Sequence, residues 1–155
     1  MNTRKRTREI AMELLYQNTM NERDVKETIA DYFETSEETT MDQVDLVYLE
    51  TVLAGVEEKK EELDALIEKY LVGWKIQRLS RINLSILRLA TYELLHMEDI
   101  PPKVSITEAV DLGKKYSEES AAPFINGVLD KISKHNEEPA PQEDESSSVS
   151  DTLSE

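Results

Sequence analysis

The chain has 155 residues, no cysteine, two histidines and a net charge of −15, from 33 acidic against 18 basic residues. That length suits one domain, the lack of cysteine excludes a disulfide framework or thiol nucleophile, and two separated histidines make poor material for a zinc site. No stretch approaches the roughly 18 apolar residues of a membrane span, and the amino terminus MNTRKRTREIAMELLYQ lacks a signal-peptide apolar run, so a cytoplasmic protein with no membrane partner and no cofactor is expected.

The period of the apolar residues is helical throughout. Ile10, Ala11, Leu14 and Leu15 recur at three- and four-residue spacing and share one face, with Glu9, Glu13 and Gln17 on another. Val25, Ile29 and Phe33 predict a second helix over Asp24 to Phe33, followed by the polar loop ETSEETT. From Met41, the series Val44, Val47, Leu49, Val52, Leu53 and Val56 predicts a long helix. Leu63, Leu66, Ile67, Tyr70 and Leu71 predict the next, with Gly73 ending it.

Ile82, Ile86, Leu89, Ala90 and Leu94 form a nearly continuous apolar run, as expected of a helix buried on more than one side. Pro101 and Pro102 stop it, and Ser105 with Glu108 three positions later fits a capping box for a further helix through Val110 and Leu112. Ser120 and Pro123 open the last helix, with Phe124, Val128, Leu129 and Ile132 inward. No strand-period segment competes. The expected fold class is all-α, about seven helices in two small helical bundles divided near residues 73–75, spanning 1–135. From Asn136 to Glu155 there are seven acidic residues and no basic one, so this segment is expected to be a disordered acidic tail, most simply a solubilising extension.

The charge is segregated, which weakens the objection that a net negative chain makes a poor nucleic-acid binder. Arg4, Lys5, Arg6 and Arg8 cluster at the amino terminus, and Leu71 to Tyr92 carries Lys75, Arg78, Arg81 and Arg88 without a carboxylate. Arg4 and Arg8 are one helical turn apart and can share a face suited to phosphates, flanked by Lys5 and Arg6. Cations at a helix start oppose the macrodipole, so their presence favours a functional reason over ordinary solvated charge.

In PFINGVLDK the spacing of Phe124, Val128 and Ile132 favours a helix over an Asn-Gly hairpin turn. Gly127 then costs about 1 kcal/mol relative to alanine and calls for close approach of another helix or of a ligand backbone, with Asn126 offering donor and acceptor groups beside it. Tyr16 falls off the main apolar face, half-buried or free to bond a partner. Arg88 is expected to pair with a carboxylate or reach the surface, since burying it alone would be costly. His96 and His135 read as surface or helix-end residues.

Four segments in order, RKRTREIAMELLYQ, ILRLATYELL, IPPKVSITEAVDLGKKY and PFINGVLDK, resemble the signature segments of the NusB family and cover most of residues 4 to 134. The resemblance implies an antitermination-type helical fold and a non-enzymatic factor that binds boxA RNA of nascent ribosomal transcripts together with NusE, a small-subunit ribosomal protein. It would act within the RNA polymerase antitermination complex to promote read-through of terminators. It implies RNA contacts at the arginine-rich helix start, at Tyr16 and at Ser120, Phe124 and Lys131, with Phe124 a base-stacking surface or a core residue. It implies a NusE-facing surface near Tyr16, Ser80, Arg81 and Asn83, although many relatives carry an acidic residue where this sequence has Asn83. Because some relatives dimerise through the surface that otherwise meets RNA, a homodimer is left open. Two other classes compete. NusB-like domains front RNA cytosine methyltransferases, yet this sequence has no glycine-rich nucleotide loop, no cysteine for methyl transfer and no strand pattern for a doubly wound sheet. A helical adaptor binding only protein would show weak, sequence-independent RNA affinity.

Overall fold

The computed structural model describes residues 3–73 and 75–137; of the acidic tail expected over 136–155, Asn136 and Glu137 are helical and the rest lies outside the described residues. Among the described residues there are seven α-helices and no strand: α1 (Thr3–Met20), α2 (Val25–Thr35), α3 (Leu46–Glu58), α4 (Lys60–Lys69), α5 (Arg81–His96), α6 (Pro102–Tyr116) and α7 (Ala121–Glu137). The all-α expectation therefore holds, as does the helical period that led to it. No described helix is long and apolar enough to cross a membrane.

Helix boundaries follow side-chain caps more closely than hydrophobic period. Asp24 caps α2 by accepting from the Lys26 amide, and Ser80 caps α5 by accepting from the Asn83 amide. The helix expected from Met41 is interrupted. Met41–Gln43 forms a single 3-10 turn, Val44 is extended, and α3 starts only after Asp45, whose carboxylate accepts from the Tyr48 amide. Val47, expected inward, falls in that first turn and is 75% exposed. Likewise α4 ends at Lys69, before Gly73, which takes a left-handed φ of 73° in the turn beyond. The capping box expected at Ser105 does not form. Pro101 and Pro102 already start α6, because proline at the first helical position lacks only an amide that would be unpaired there. Ser105 is instead inside the helix and buried.

The centre of the molecule is α5, which packs against α1, α3, α4, α6 and α7. One set of contacts joins α1, α2 and α3, another joins α4 and α6 to α7, and α5 belongs to both. Its buried residues Ile86, Leu87, Leu89 and Ala90 face three sides of the helix, which accounts for the unbroken apolar run. Polar ties fix the packing. Arg88 makes a two-pronged pair with Asp64 of α4 at 2.8 and 2.7 Å, meeting the expectation that it would find a carboxylate. The Tyr70 hydroxyl lies 3.0 Å from the His135 Nδ1 of α7, and Ser117 donates to the Asn83 Oδ1 at 2.8 Å.

Gly55 and Gly127 are helical glycines with opposite surroundings. A Cβ at Gly55 would overlap the ring of Tyr92, so α3 and α5 meet there at a distance only glycine allows, whereas a Cβ at Gly127 would meet nothing within 4 Å. Gly55→Ala is expected to lower the urea unfolding free energy by about 1–3 kcal/mol through overpacking, despite alanine's better helix propensity. Gly127→Ala should raise it by up to about 1 kcal/mol. A Gly55→Ala variant as stable as wild type or more so would mean that the Tyr92 ring yields readily and the α3–α5 contact does not require glycine.

Candidate nucleic-acid interface

The basic start of α1 divides into one buried and three outer side chains. Arg8 is only 4% exposed and Glu93 of α5 only 1%. The guanidinium donates twice to the Glu93 carboxylate, Nε to Oε2 at 2.8 Å and Nη2 to Oε1 at 3.2 Å. Ser105 of α6 donates to Oε1 at 2.6 Å, and the hydroxyl of Tyr48, in α3, donates to Oε2. Burial lowers the Arg8 pKa, but the hydrogen bond and charge of Glu93 more than offset it, and the guanidinium stays charged. Burial, followed by the adjacent Glu93 charge, pushes the Tyr48 phenol well above its ordinary range, so it remains a donor. Arg8 is thus withdrawn from the phosphate-binding face expected for it. The sequence carried a signal of this: Arg8 falls at helical spacing with Met12 and Leu15, and Glu93 with Ile86, Leu89 and Ala90, which places both charges on buried stripes.

Arg4, one turn before Arg8 on the same face, and Lys5 and Arg6 stay at least partly exposed, each engaged by acids. Arg4 pairs with Asp45 at 2.8 Å, and its guanidinium lies 4.5 Å from the centre of the Tyr48 ring. Lys5 reaches Glu108 at 3.1 Å and Asp111 at 3.3 Å on α6. Arg6 pairs with Glu9 at 2.9 Å and also touches the Tyr32 hydroxyl and Thr39. Burial raises the Glu9 carboxyl, but hydrogen bonds from Lys115 and Arg6 outweigh it and hold the group below its usual range. At Asp45 the amide of Tyr48 is the largest influence, followed by burial acting against it and then by Arg4, and the carboxyl again lies low.

Along α7 the outward face carries Ser120 just before the helix, then Phe124, Gly127 and Lys131 at intervals of four, three and four residues. Ser120, Gly127 and Lys131 are exposed and Phe124 is half-buried against the core. Asn126 is exposed but lies about a third of a turn away from this line. The open space at Gly127 rules out close approach of another described helix, one of the two explanations offered for it. Tyr16 is half-buried on α1. Of the expected protein-facing residues, Ser80 and Arg81 are both exposed, the Ser80 hydroxyl being engaged in capping α5. Asn83 is 5% exposed and holds Ser117, so its side chain is a structural contact and is not presented to a partner. Sequence reasoning missed Glu9, Asp45, Glu108 and Asp111, because in a chain with 33 acidic residues no spacing distinguishes a counter-charge from a solvated one.

Glu93→Gln leaves Arg8 buried without a counter-charge and is expected to cost about 3–5 kcal/mol in denaturant unfolding; a cost within experimental error would mean that Arg8 can reach water. Asp45 and Glu9, whose folded-state pKa values lie below their unfolded ones, contribute stability that is complete above the unfolded values and lost as pH falls through the lower folded ones. Unfolding free energy should accordingly hold down to about pH 5 and fall below about pH 4, with a smaller fall in Asp45→Asn; an identical acid profile in that variant would remove Asp45 from the account.

The sequence model of the NusB family matches residues 5–134. The transcription antitermination protein NusB of Clostridium perfringens is 48% identical over 132 residues, covering 85% of this chain and 97% of that protein. NusB of T. maritima superposes with a TM-score of 0.76 at 34% identity, covering 92% of this chain and 96% of that one. A chain from the crystal structure of antitermination factors NusB and NusE in complex with dsRNA superposes with a TM-score of 0.74 at 30% identity, covering 84% of this chain and 96% of its own. With the family model spanning nearly all described residues and the helices superposing in order, this chain belongs to the NusB family.

Proposed function

We propose that this protein is a transcription antitermination factor that acts by binding, without catalysis. It holds boxA-type RNA of nascent ribosomal transcripts jointly with the ribosomal protein NusE and so promotes read-through by RNA polymerase. The observation that carries this reading is the likeness, in sequence and in fold, to the chain crystallised with NusE and dsRNA. The outward face of α7 supports it independently. A glycine in mid-helix with nothing near it sacrifices helix propensity without any packing return, and a ligand backbone lying against Gly127 accounts for it. Lys131 beside it forms no ion pair among the described residues and is available to a phosphate, while Phe124 offers part of a ring to an unstacked base. Arg4, Lys5 and Arg6 are the proposed phosphate contacts from α1, and Tyr16 and Arg81 the proposed NusE contacts.

The pairing of the α1 cations with acids favours one rival, a helical adaptor that binds only protein. The two separate in titrations of a short boxA RNA and a scrambled control, with and without NusE, across a salt series. Tighter binding of boxA, strengthened by NusE, is expected, and Lys131→Ala should weaken both RNAs and reduce the salt slope by about one. Equal, weak binding of both RNAs with no effect of NusE would sink the antitermination reading in favour of the adaptor.

A further inference from the structure

Residues 69 to 81 carry Lys69, Lys75, Arg78 and Arg81 and no carboxylate. All four are exposed, and none forms an ion pair among the described residues. The backbone holds the middle two together: Ile76–Arg78 is a single 3-10 turn with Lys75 just before it. This turn is tied back to α4 where the Glu68 carboxylate accepts from the Ile76 amide at 2.9 Å. That bond engages the nearest acid in sequence and leaves the ledge between α4 and α5 without an answering charge. The cations of α1 differ, since Arg4, Lys5 and Arg6 each meet a carboxylate.

The carboxy-terminal tail starts beside this ledge. Tyr70, which follows α4, has its hydroxyl 3.0 Å from the Nδ1 of His135, and the Lys69 ammonium lies 5.6 Å from the centre of the same ring. His135 is in the last turn of α7, which ends at Glu137. Residues 138–155 then hold six acids and no base, three of the acids adjacent at Glu143, Asp144 and Glu145. They lie beyond residue 134, where the match to the family model stops. Fully extended, such a segment spans about 60 Å, whereas the α carbons of Tyr70 and Lys75 are at most about 19 Å apart along the chain. A single exposed ion pair would not hold the tail. Attachment at Glu137, however, keeps its acids near the ledge at an effective concentration on the order of millimolar, so that several pairs form together.

We propose that residues 138–155 dock in cis on this ledge, with Glu143, Asp144 and Glu145 against Lys75 and Arg78. The tail is then a built-in competitor: a polyanion must displace it to reach the ledge, and sequence-independent RNA binding there is suppressed. The inference does not depend on the RNA-binding reading above, with whose residues it shares only Arg81.

The chain has one tryptophan, Trp74, within the ledge sequence, and no cysteine. Ser147→Cys in the full chain therefore carries a single nitroxide, a short-range quencher of tryptophan fluorescence. Quenching relative to the unlabelled chain is measured from about 0.01 to about 1 M salt, over which the screening length shrinks from about 30 to about 3 Å. The chains compared are the labelled parent, Glu143→Gln with Asp144→Asn and Glu145→Gln, Lys75→Ala with Arg78→Ala, and Lys131→Ala, with melting temperatures recorded alongside. Quenching in the parent should be strong at low salt, independent of protein concentration and lost at high salt. The tail and ledge variants should show the high-salt level throughout, while Lys131→Ala follows the parent. The unlabelled tail variant should also bind a scrambled single-stranded RNA more tightly at low salt; unchanged binding would overturn the competitor role. Quenching that is equal in all four chains and indifferent to salt would reflect attachment alone and overturn the docking. Relief in the tail variant but not the ledge variant, or relief in Lys131→Ala, would place the tail elsewhere and overturn it as well. Quenching that rises with protein concentration would assign the contact to a second copy, against docking in cis. Should the double ledge variant lose its fold, Arg78→Gln alone makes the same comparison.

Discussion

The Glu93 carboxylate is the point on which this fold depends. Helices α1, α3, α5 and α6 converge on its two oxygens through Arg8, Tyr48, Glu93 itself and Ser105. A buried ion pair is costly to desolvate and is tolerated only when its remaining hydrogen-bonding capacity is filled, as it is here. Such a cluster adds modestly to stability compared with the surrounding apolar core, yet it is far more selective about geometry. Leucine against leucine tolerates a slide of a fraction of a turn; a bidentate guanidinium with two hydroxyls on the same carboxylate does not. The register of α1 against the other three helices is therefore set by polar contacts, and the directions in which Arg4, Lys5 and Arg6 project are set with it.

Electrostatic matching then decides what the surface can offer. A chain of net charge −15 is repelled by nucleic acid at long range, so recognition must come from local patches. Asp45 just before α3 and the acids of α6 hold Arg4 and Lys5 in ordered positions. They also mean that a phosphate arriving there replaces a carboxylate and does not simply add a contact. Net affinity from such an exchange is smaller than from a bare cation, whereas selectivity for a correctly placed phosphate is greater. Lys131, which forms no ion pair among the described residues, is the place on the candidate interface at which a phosphate meets least competition.

The two halves of the candidate interface are built differently. The α1 side consists of long charged side chains positioned by their counter-ions, and the α7 side of backbone exposed at Gly127 between Phe124 and Lys131. A charged fork tolerates small displacements of its ligand, while a bare helix backbone accepts only a close and well-shaped one. Together they suit a strand that is held loosely through phosphates at one end and by close contact at the other.

Much of this was legible from residues alone. The helical period of Ile10 to Leu15, of Leu49 to Val56 and of Ile86 to Leu94 determined the fold class and the identity of the central helix, because burial of an apolar stripe is a local property of spacing. Acidic or hydroxyl caps set the starts of α2, α3 and α5 and proline that of α6, and errors arose where two local signals competed, as when the Asp45 cap overrode the apolar series starting at Met41. The four ordered segments sufficed for the family. What sequence could not assign was which charges face each other. Arg4 and Arg8 are one turn apart and chemically identical, but one meets Asp45 at the surface and the other Glu93 in the core, 41 and 85 residues away. Gly55 and Gly127 look alike in sequence as well, and only the packing of Tyr92 across α3 distinguishes a glycine required by its neighbours from one left open. Pairing between distant residues depends on the three-dimensional arrangement of whole helices, which no local spacing encodes, and that arrangement alone decided which side chains remain for a partner.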